Sequence, residues 1–411
     1  MEGNRMKALP IVEYPRIIEE FIPRFEGLLT KPQRRHFAEY LTGLITCGNK
    51  TVRGINDSFV SHLDQSAKNH FLTAADWAEE AVEQQRLSLV REAIVKEHIK
   101  DGYLIIDDSL AHKSGKKIEG VGWHYDHSQQ KCVLGHQLVS AHYYCRSFHL
   151  PLGFELYRRD GGFDKNQLAR QLINRAVTTG LPFSTVLFDS WYFNEENVRH
   201  IEGCHKNWVA ACKSNRLVDW CGKAVSLMEV FKSFPKTEFI QITLKNGDQY
   251  WACTKVLTLK KGGRVRIVAT HGQADCADEP NFFATNRKDW NATKILDTYS
   301  VRWTIETFYR DAKQNLGLED CQLRIWNGIK RHFGLVFLAF TFLQLSSLNR
   351  RLGKWFAANI KTIGGKCQLA AVEILRSFIL FVARETARER SADEIVELCF
   401  RPSAQLRFAF A

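Results

Sequence analysis

Apolar residues recur every three to four positions over Ile17 to Leu29, Gln33 to Ile45, Thr51 to Leu63 and Ala74 to His98, which predicts an all-helical block across residues 1–100. Thr73, followed three positions on by Asp76, reads as a capping box for the last of these helices. From Tyr103 the period shortens. Tyr103 to Asp107, Val133 to Tyr144 and His149 to Tyr157 read as strands, Lys165 to Thr179 as a helix, and Thr185 to Phe188 as another strand. Strands in a run that then alternate with helices predict a mixed sheet of the α/β kind. Farther on, Ile240, Ile242 and Leu244 alternate with Gln241, Thr243 and Lys245; Asn246-Gly247 supplies a hairpin turn, and Tyr250 to Leu259 answers as its second strand. Gly262-Gly263 makes a further turn before Val265 to Ala269, so residues 204–290 read as an antiparallel β insertion. The most apolar run, Phe333 to Leu345, falls short of the ~20 residues that span a bilayer and reads as a buried core helix. Ala370 to Glu389 is one more helix, and the tail after it carries little pattern.

Composition narrows the class. With 411 residues, 45% of them apolar and 25% charged, the chain is long enough for several units and has none of the bias of disordered or collagen-like sequences. Net charge is +12, which points to a polyanionic partner. Residues 1–100 carry fourteen basic and fourteen acidic side chains, so the surplus lies in the remainder. The insertion alone holds fourteen Lys and Arg against eight Asp and Glu, about half of that surplus. Eleven cysteines without a C-x-x-C pair or zinc-ligand spacing are expected to be reduced thiols. Arg5 and Lys7 are followed by no apolar h-region, and a cytoplasmic address is the expectation.

Two of the strands lead into aspartate. Leu104-Ile105-Ile106 precedes Asp107-Asp108-Ser109, and Val186-Leu187-Phe188 precedes Asp189. Ligand chemistry in open α/β sheets collects at strand carboxyl ends, although an Asp closing a strand ordinarily serves as a turn or cap residue. A third acid stands in the helical pattern of residues 291–317. Projected at about 100° per residue, Tyr299, Arg302, Glu306, Arg310 and Lys313 share one face, and Val301, Ile305, Phe308, Ala312 and Leu316 take the opposite one. Such a stripe is either a surface ion-pair network or a carboxylate that holds a metal among cations that grip phosphates.

The spacing Tyr299-x2-Arg302-x3-Glu306-x6-Lys313 resembles the YREK signature of bacterial insertion-sequence transposases of the DDE class, and Phe282-Phe283-Ala284-Thr285-Asn286 resembles the strand that precedes this helix in the family. The resemblance covers most of residues 45–350. It implies a ribonuclease H-like mixed sheet with flanking helices, interrupted by the antiparallel insertion and preceded by the all-α block. The implied domains are a DNA-binding helical region at 1–100, a catalytic domain split into 101–203 and 291–350, the β-rich insertion at 204–290, and a helical region at 351–411. It also implies Asp108, Asp189 and Glu306 as metal ligands. Neighbours in a strand face opposite sides, so one of Asp107 and Asp108 faces the metal, and the family pattern of Ser or Thr directly after the ligand selects Asp108.

Three carboxylates suit the chemistry, because Mg2+ prefers oxygen ligands and two ions roughly 3.5 to 4 Å apart serve the attacking and leaving oxygens of an in-line displacement. Mn2+ is expected to substitute. The resemblance further implies Tyr299, Arg302 and Lys313 as phosphate-gripping residues at a cleaved end that closes as a DNA hairpin with a base turned out. Trp251, within the basic insertion, is the expected receiver of that base, with Trp208, Trp220 and Trp290 as alternatives. Expected partners are double-stranded DNA, both terminal inverted repeats and target, and a second copy of the chain in the synaptic complex; no membrane is expected. The competing readings are a hydrolytic nuclease on the same fold and a domesticated DNA-binding protein without catalysis. His112, Lys113, Lys116 and Lys117 read as a DNA path or a solvated loop, and Arg324, Lys330, Arg331 and His332 as offering phosphate contacts from exposed helix faces.

Overall fold

Pro23 decides the first departure from the expected helices. It lacks an amide donor, so the α-helix α1 (Arg16–Phe21) gives way to a 3-10 segment over Ile22–Leu28 instead of running to Leu29. The structure, a computed structural model, describes residues 9–61, 64–126, 129–349, 352 and 360–400. Arg5, Lys7, Leu63, His127, Arg350 and Arg351 therefore lie outside the described residues. The chain forms two units, one of residues 1–93, 111–121 and 309–411, the other of residues 94–110 and 122–308.

The first unit is helical. Pro32 in the first turn and a Thr30–Gln33 capping box start α2 (Lys31–Thr46). The Thr51 hydroxyl accepts from the Gly54 amide at 3.0 Å to cap α3 (Val52–Ser58), which stops because Phe59 turns extended and bridges to Ile11. Thr73 does not cap the next long helix. It closes α4 (Gln65–Thr73), and α5 (Glu79–Lys96) starts only after Trp77 has stacked on Phe71 at 5.4 Å and donated from Nε1 to the Phe71 carbonyl at 3.0 Å. That tertiary contact overrides the local capping signal.

Within the same unit, α11 (Trp326–Ser346) is almost wholly buried; α12 (Ile363–Ala387) and α13 (Ala392–Cys399) follow. Arg331 is bound to Glu79 at 2.8 Å and to the Phe71 carbonyl at 3.1 Å, and His332 lies between the Tyr40 hydroxyl and the Gly317 carbonyl, each at 2.9 Å. These two side chains belong to the core, contrary to the phosphate-contact expectation. Among the described residues no helix is long and apolar enough to cross a membrane.

The second unit is built on one sheet of twelve strands. Its first part comprises β1 (Tyr103–His112), β2 (Gly122–Asp126), β3 (Lys131–Tyr144), β4 (His149–Tyr157), β5 (Thr185–Phe188) and β6 (Asn207–Cys212). The order β4-β3-β1-β5-β6, with β5 parallel to both β1 and β6, is the ribonuclease H-like layout. Between them run α6 (Lys165–Thr178), opened by an Asp164–Gln167 capping box, and α7 (Glu195–Gly203). Strands β7 (Leu217–Trp220) and β8 (Lys223–Ser226) lead into α8 (Leu227–Lys232). The sheet continues through β9 (Ile240–Thr243), β10 (Gln249–Leu259), β11 (Gly263–His271) and β12 (Asn281–Thr285), all antiparallel to their neighbours. Gly247, at φ 92°, and Gly262, at φ 114°, supply the left-handed turns that the hairpins require. The insertion strands extend the same sheet through β12 on β6.

The helical unit also contains a buried ionic cluster. Glu39 accepts from Arg35 at 2.7 Å, pairs with the buried Lys68 ammonium and lies 3.8 Å from His36. Burial pushes the Glu39 carboxyl up, but the hydrogen bonds and ion pairs outweigh it and hold the group down at about 2. A depressed carboxyl stabilises the fold above its unfolded value and loses that contribution as pH falls through the folded one. Stability of this unit is expected to decline between about pH 4.5 and pH 2 by at most about 3 kcal/mol, with the decline much smaller in Glu39→Gln. Urea titrations of both proteins at a series of pH values measure it.

Candidate active site

The β1–β5 ladder ends at Ile106 opposite Phe188, so the next residues of the two strands, Asp107 and Asp189, leave it side by side. β1 itself does not stop there, as the sequence suggested, but continues to His112. Asp189 closes on its own backbone: Oδ1 accepts from the amides of Trp191 at 3.0 Å and Tyr192 at 3.2 Å. Its carboxyl is raised, first by burial and then by the negative field of Asp108, against the amides and Arg302.

Glu306 arrives on a helix that is not the single one expected. Residues 291–317 form α9 (Ala292–Ser300), capped by the Asn291 side chain, and α10 (Trp303–Leu316). Val301 and Arg302 make a turn between them, tightened by i to i−3 hydrogen bonds from Arg302 to Tyr299, Thr304 to Val301 and Ile305 to Arg302. The uniform projection therefore fails at Arg302, although Ile305, Phe308, Ala312 and Leu316 are buried as it predicts.

The turn puts the Arg302 guanidinium between two acids, with one nitrogen 2.6 Å from Asp107 Oδ2 and another 2.6 Å from Glu306 Oε1. Burial pushes the Asp107 carboxyl up to about 7; Arg302 opposes the rise, and the like charges of Asp189 and Asp108 add to it. Arg302 is held further into its charged form by Tyr299, Asp107 and Glu306, against its own burial. The Tyr299 ring packs on Phe283 at 4.8 Å and on Arg302 at 5.7 Å, and burial raises its hydroxyl to about 12.

Asp108 meets a different set. The Tyr192 hydroxyl donates to its Oδ1 at 2.7 Å, Lys165 Nζ lies 3.2 and 3.1 Å from its two oxygens, and the Gln137 amide also donates to it. None of these three partners was nominated from sequence. Tyr192 and Trp191 were visible in the FDSWYF segment after Asp189, whereas Lys165 and Gln137 sit on α6 and β3, and no spacing rule links them to Asp108.

Among the described residues, no three His, Cys, Asp or Glu side chains stand close enough to hold a metal ion as they are. The donor set nonetheless suits a hard divalent cation: carboxylate oxygens whose proton affinity is raised by burial and mutual repulsion, a strain that added positive charge relieves.

Lys313 belongs to the first unit, where its ammonium pairs with Glu319 at 3.1 Å. In that unit Lys113 is tied to the carbonyls of Glu319 and Cys321, each at 2.8 Å, a structural role in place of the DNA path or solvated loop expected of it. Of the tryptophans, Trp208 is 0% exposed and donates to Glu202, which removes it as a base receiver. Trp251 lies inside the sheet, opposite His271 on β11 and Gln241 on β9. Trp220 stands edge-on to Phe234, and Trp290 lies between Arg287 and Lys294, each 5.1 Å from its ring.

The family described as DDE superfamily endonuclease matches residues 23–160, and the family described as transposase DDE domain matches residues 100–342. No curated protein matches the chain. A solved structure of a piggyBac transposase synaptic complex with hairpin DNA, determined by cryo-EM, is similar at a TM-score of 0.49 and 9% identity, with 95% of this chain and 83% of that chain covered. The second family match takes in more than half of the chain and includes Asp107, Asp108, Asp189, Tyr299, Arg302, Glu306 and Lys313, so the chain belongs to the transposase DDE domain family.

Proposed function

We propose that the protein is the transposase of a bacterial insertion sequence, which cuts phosphodiester bonds at the element's terminal inverted repeats and joins the freed 3′ ends to target DNA. The observation that carries this reading is the meeting of acids from β1, β5 and α10 around one guanidinium, within residues matched by the transposase DDE domain. Asp108, Asp189 and Glu306 are proposed as the metal ligands. Bound there, two Mg2+ ions, or Mn2+ in their place, supply Lewis-acid activation of the attacking oxygen and stabilisation of the leaving one.

The chain's own residues do the positioning. The guanidinium of Arg302 is planar and matches a phosphate with two parallel bonds, so the fork that now spans Asp107 and Glu306 is suited to hold the phosphate at the cleaved end. Tyr299 braces that fork from below through its ring. Lys313 is proposed as a second phosphate contact and Trp251 as the receiver of a base turned out when the end closes as a hairpin. Residues 1–100 are proposed to bind DNA, and a second copy of the chain to complete the synaptic complex, in the cytoplasm beside the nucleoid.

The test is cleavage of a DNA fragment that carries the inverted repeats flanking the reading frame. Wild type with Mg2+ is expected to cut at the repeat and join the 3′ end to a target plasmid; cutting without joining would identify a hydrolytic nuclease instead. Glu306→Gln is expected to lower cleavage at least a thousandfold while end binding, read by gel shift, stays within about threefold. Wild-type turnover in that variant would remove Glu306 from the metal site. Asp108→Asn is expected to lose far more cleavage than Asp107→Asn. The reverse ranking would give the first ligand to Asp107, the carboxylate that shares Arg302 with Glu306. Lys313→Ala is expected to weaken end binding and to flatten the plot of log affinity against log salt by roughly 0.9, the release that accompanies one phosphate contact. An unchanged slope would count against that contact.

A further inference from the structure

Trp191 is a large apolar side chain left 43% exposed two residues after Asp189, and its placement is built rather than incidental. Its amide donates to Asp189 Oδ1 at 3.0 Å, which fixes the start of the side chain beside that carboxylate. Tyr192, almost wholly buried, meets the indole edge-on at 5.0 Å while its hydroxyl reaches Asp108 at 2.7 Å. Lys165 Nζ lies 4.1 Å from the indole centroid and within 3.2 Å of both Asp108 oxygens. A closed circuit of contacts thus runs from Asp189 through Trp191 and Lys165 to Asp108 and back through Tyr192. An exposed indole gains nothing for the fold from such anchoring. A ring held rigidly with a cation at its face is what stacks on a planar base while the cation meets the adjoining phosphate.

The surroundings agree in chemistry. Trp123, Tyr125 and Phe163 are also exposed, Trp123 and Tyr125 on one face of β2, and the Arg159 guanidinium donates to the Trp123 carbonyl at 2.7 Å. Lys165 and Arg159 both act on His124, between Trp123 and Tyr125 in sequence, which keeps this basic and aromatic flank next to Asp108. Trp251 does not serve the same nucleotide. It stands on β10, four strand spacings from β5 by way of β6, β12 and β11, or roughly 19 Å along the sheet.

We propose that Trp191, with Lys165 at its face, is the platform on which an unpaired nucleotide of the DNA end stacks beside the carboxylates. The inference rests on the DNA-processing reading above and adds to it the residue that recognises the unpaired base. Lys165 turns from Asp108 to the phosphate of that nucleotide, and the indole holds the base out of the duplex.

The experiment uses the full-length protein in EDTA with two fluorescein-labelled duplexes of the same sequence, one blunt and one with a three-nucleotide single-stranded overhang carrying 2-aminopurine. Trp191→Ala is expected to weaken overhang binding at least fivefold, to change blunt binding less than twofold, and to abolish the 2-aminopurine quenching seen with wild type, at an unchanged salt slope. Trp191→Phe, which keeps an aromatic face, is expected to stay within threefold of wild type on the overhang. Lys165→Ala is expected to lower the salt slope on the overhang by roughly 0.7, the single-strand value for one contact. Equal losses on the two duplexes, or no loss on the overhang, would overturn the platform. If wild type cuts the inverted repeats with Mg2+ while Trp191→Ala keeps full overhang affinity, this inference alone fails. If wild type binds neither duplex, the transposase reading fails with it.

Discussion

Carboxylates leaving adjacent parallel strands side by side repel one another, and burial sharpens the repulsion because water no longer screens it. Asp107, Asp108 and Asp189 are in that position, and the fold answers with cations taken from distant parts of the chain: Arg302 from the turn between α9 and α10, and Lys165 from the first turn of α6. The remaining features of the site follow from where those two charges sit. The break between α9 and α10 exists where Arg302 must reach two acids at once, and the Asp164–Gln167 capping box fixes the end of α6 from which Lys165 reaches Asp108.

The same arrangement is suited to binding a polyanion. Each cation that now neutralises a carboxylate is a phosphate ligand by its chemistry, so a metal ion replacing the cations on the acid side frees them for the nucleic acid. Aromatic rings complete the pattern: Tyr299 braces Arg302 from inside the fold, and Trp191 presents its face outward beside Lys165. One set of acids with a cation–ring pair on each flank gives the site two handles for a DNA end.

Legibility from sequence varied with the range of the interaction concerned. The strands β4 and β5, the helix α6 and the Asn246-Gly247 hairpin emerged with their expected bounds, or within a residue of them, because alternation, capping and turn chemistry are read within a few residues. Thr73 misled because Trp77 docks on Phe71, a contact that outweighs a local cap. The projection of residues 291–317 as one helix misled because a regular period gives no sign of a turn whose cause is a salt bridge to residue 107. Arg331 and His332 looked like surface cations because their partners, Glu79, Tyr40 and the Gly317 carbonyl, lie far away in sequence.

The sequence by itself determined the element types, the order of strands and helices along the chain, and the identity of the acids and of the Tyr-Arg-Glu-Lys series, since each depends on residue chemistry and on spacing along one stretch. Only the tertiary structure decided which of those charges face each other. It gave Arg302 to Asp107 and Glu306, gave Lys165, Tyr192 and Gln137 to Asp108, and left Trp191 open beside Asp189 while burying Trp208. Electrostatic pairing and burial are set by distances through space, and a chain that folds back on itself brings together residues whose separation in sequence carries no trace of the meeting.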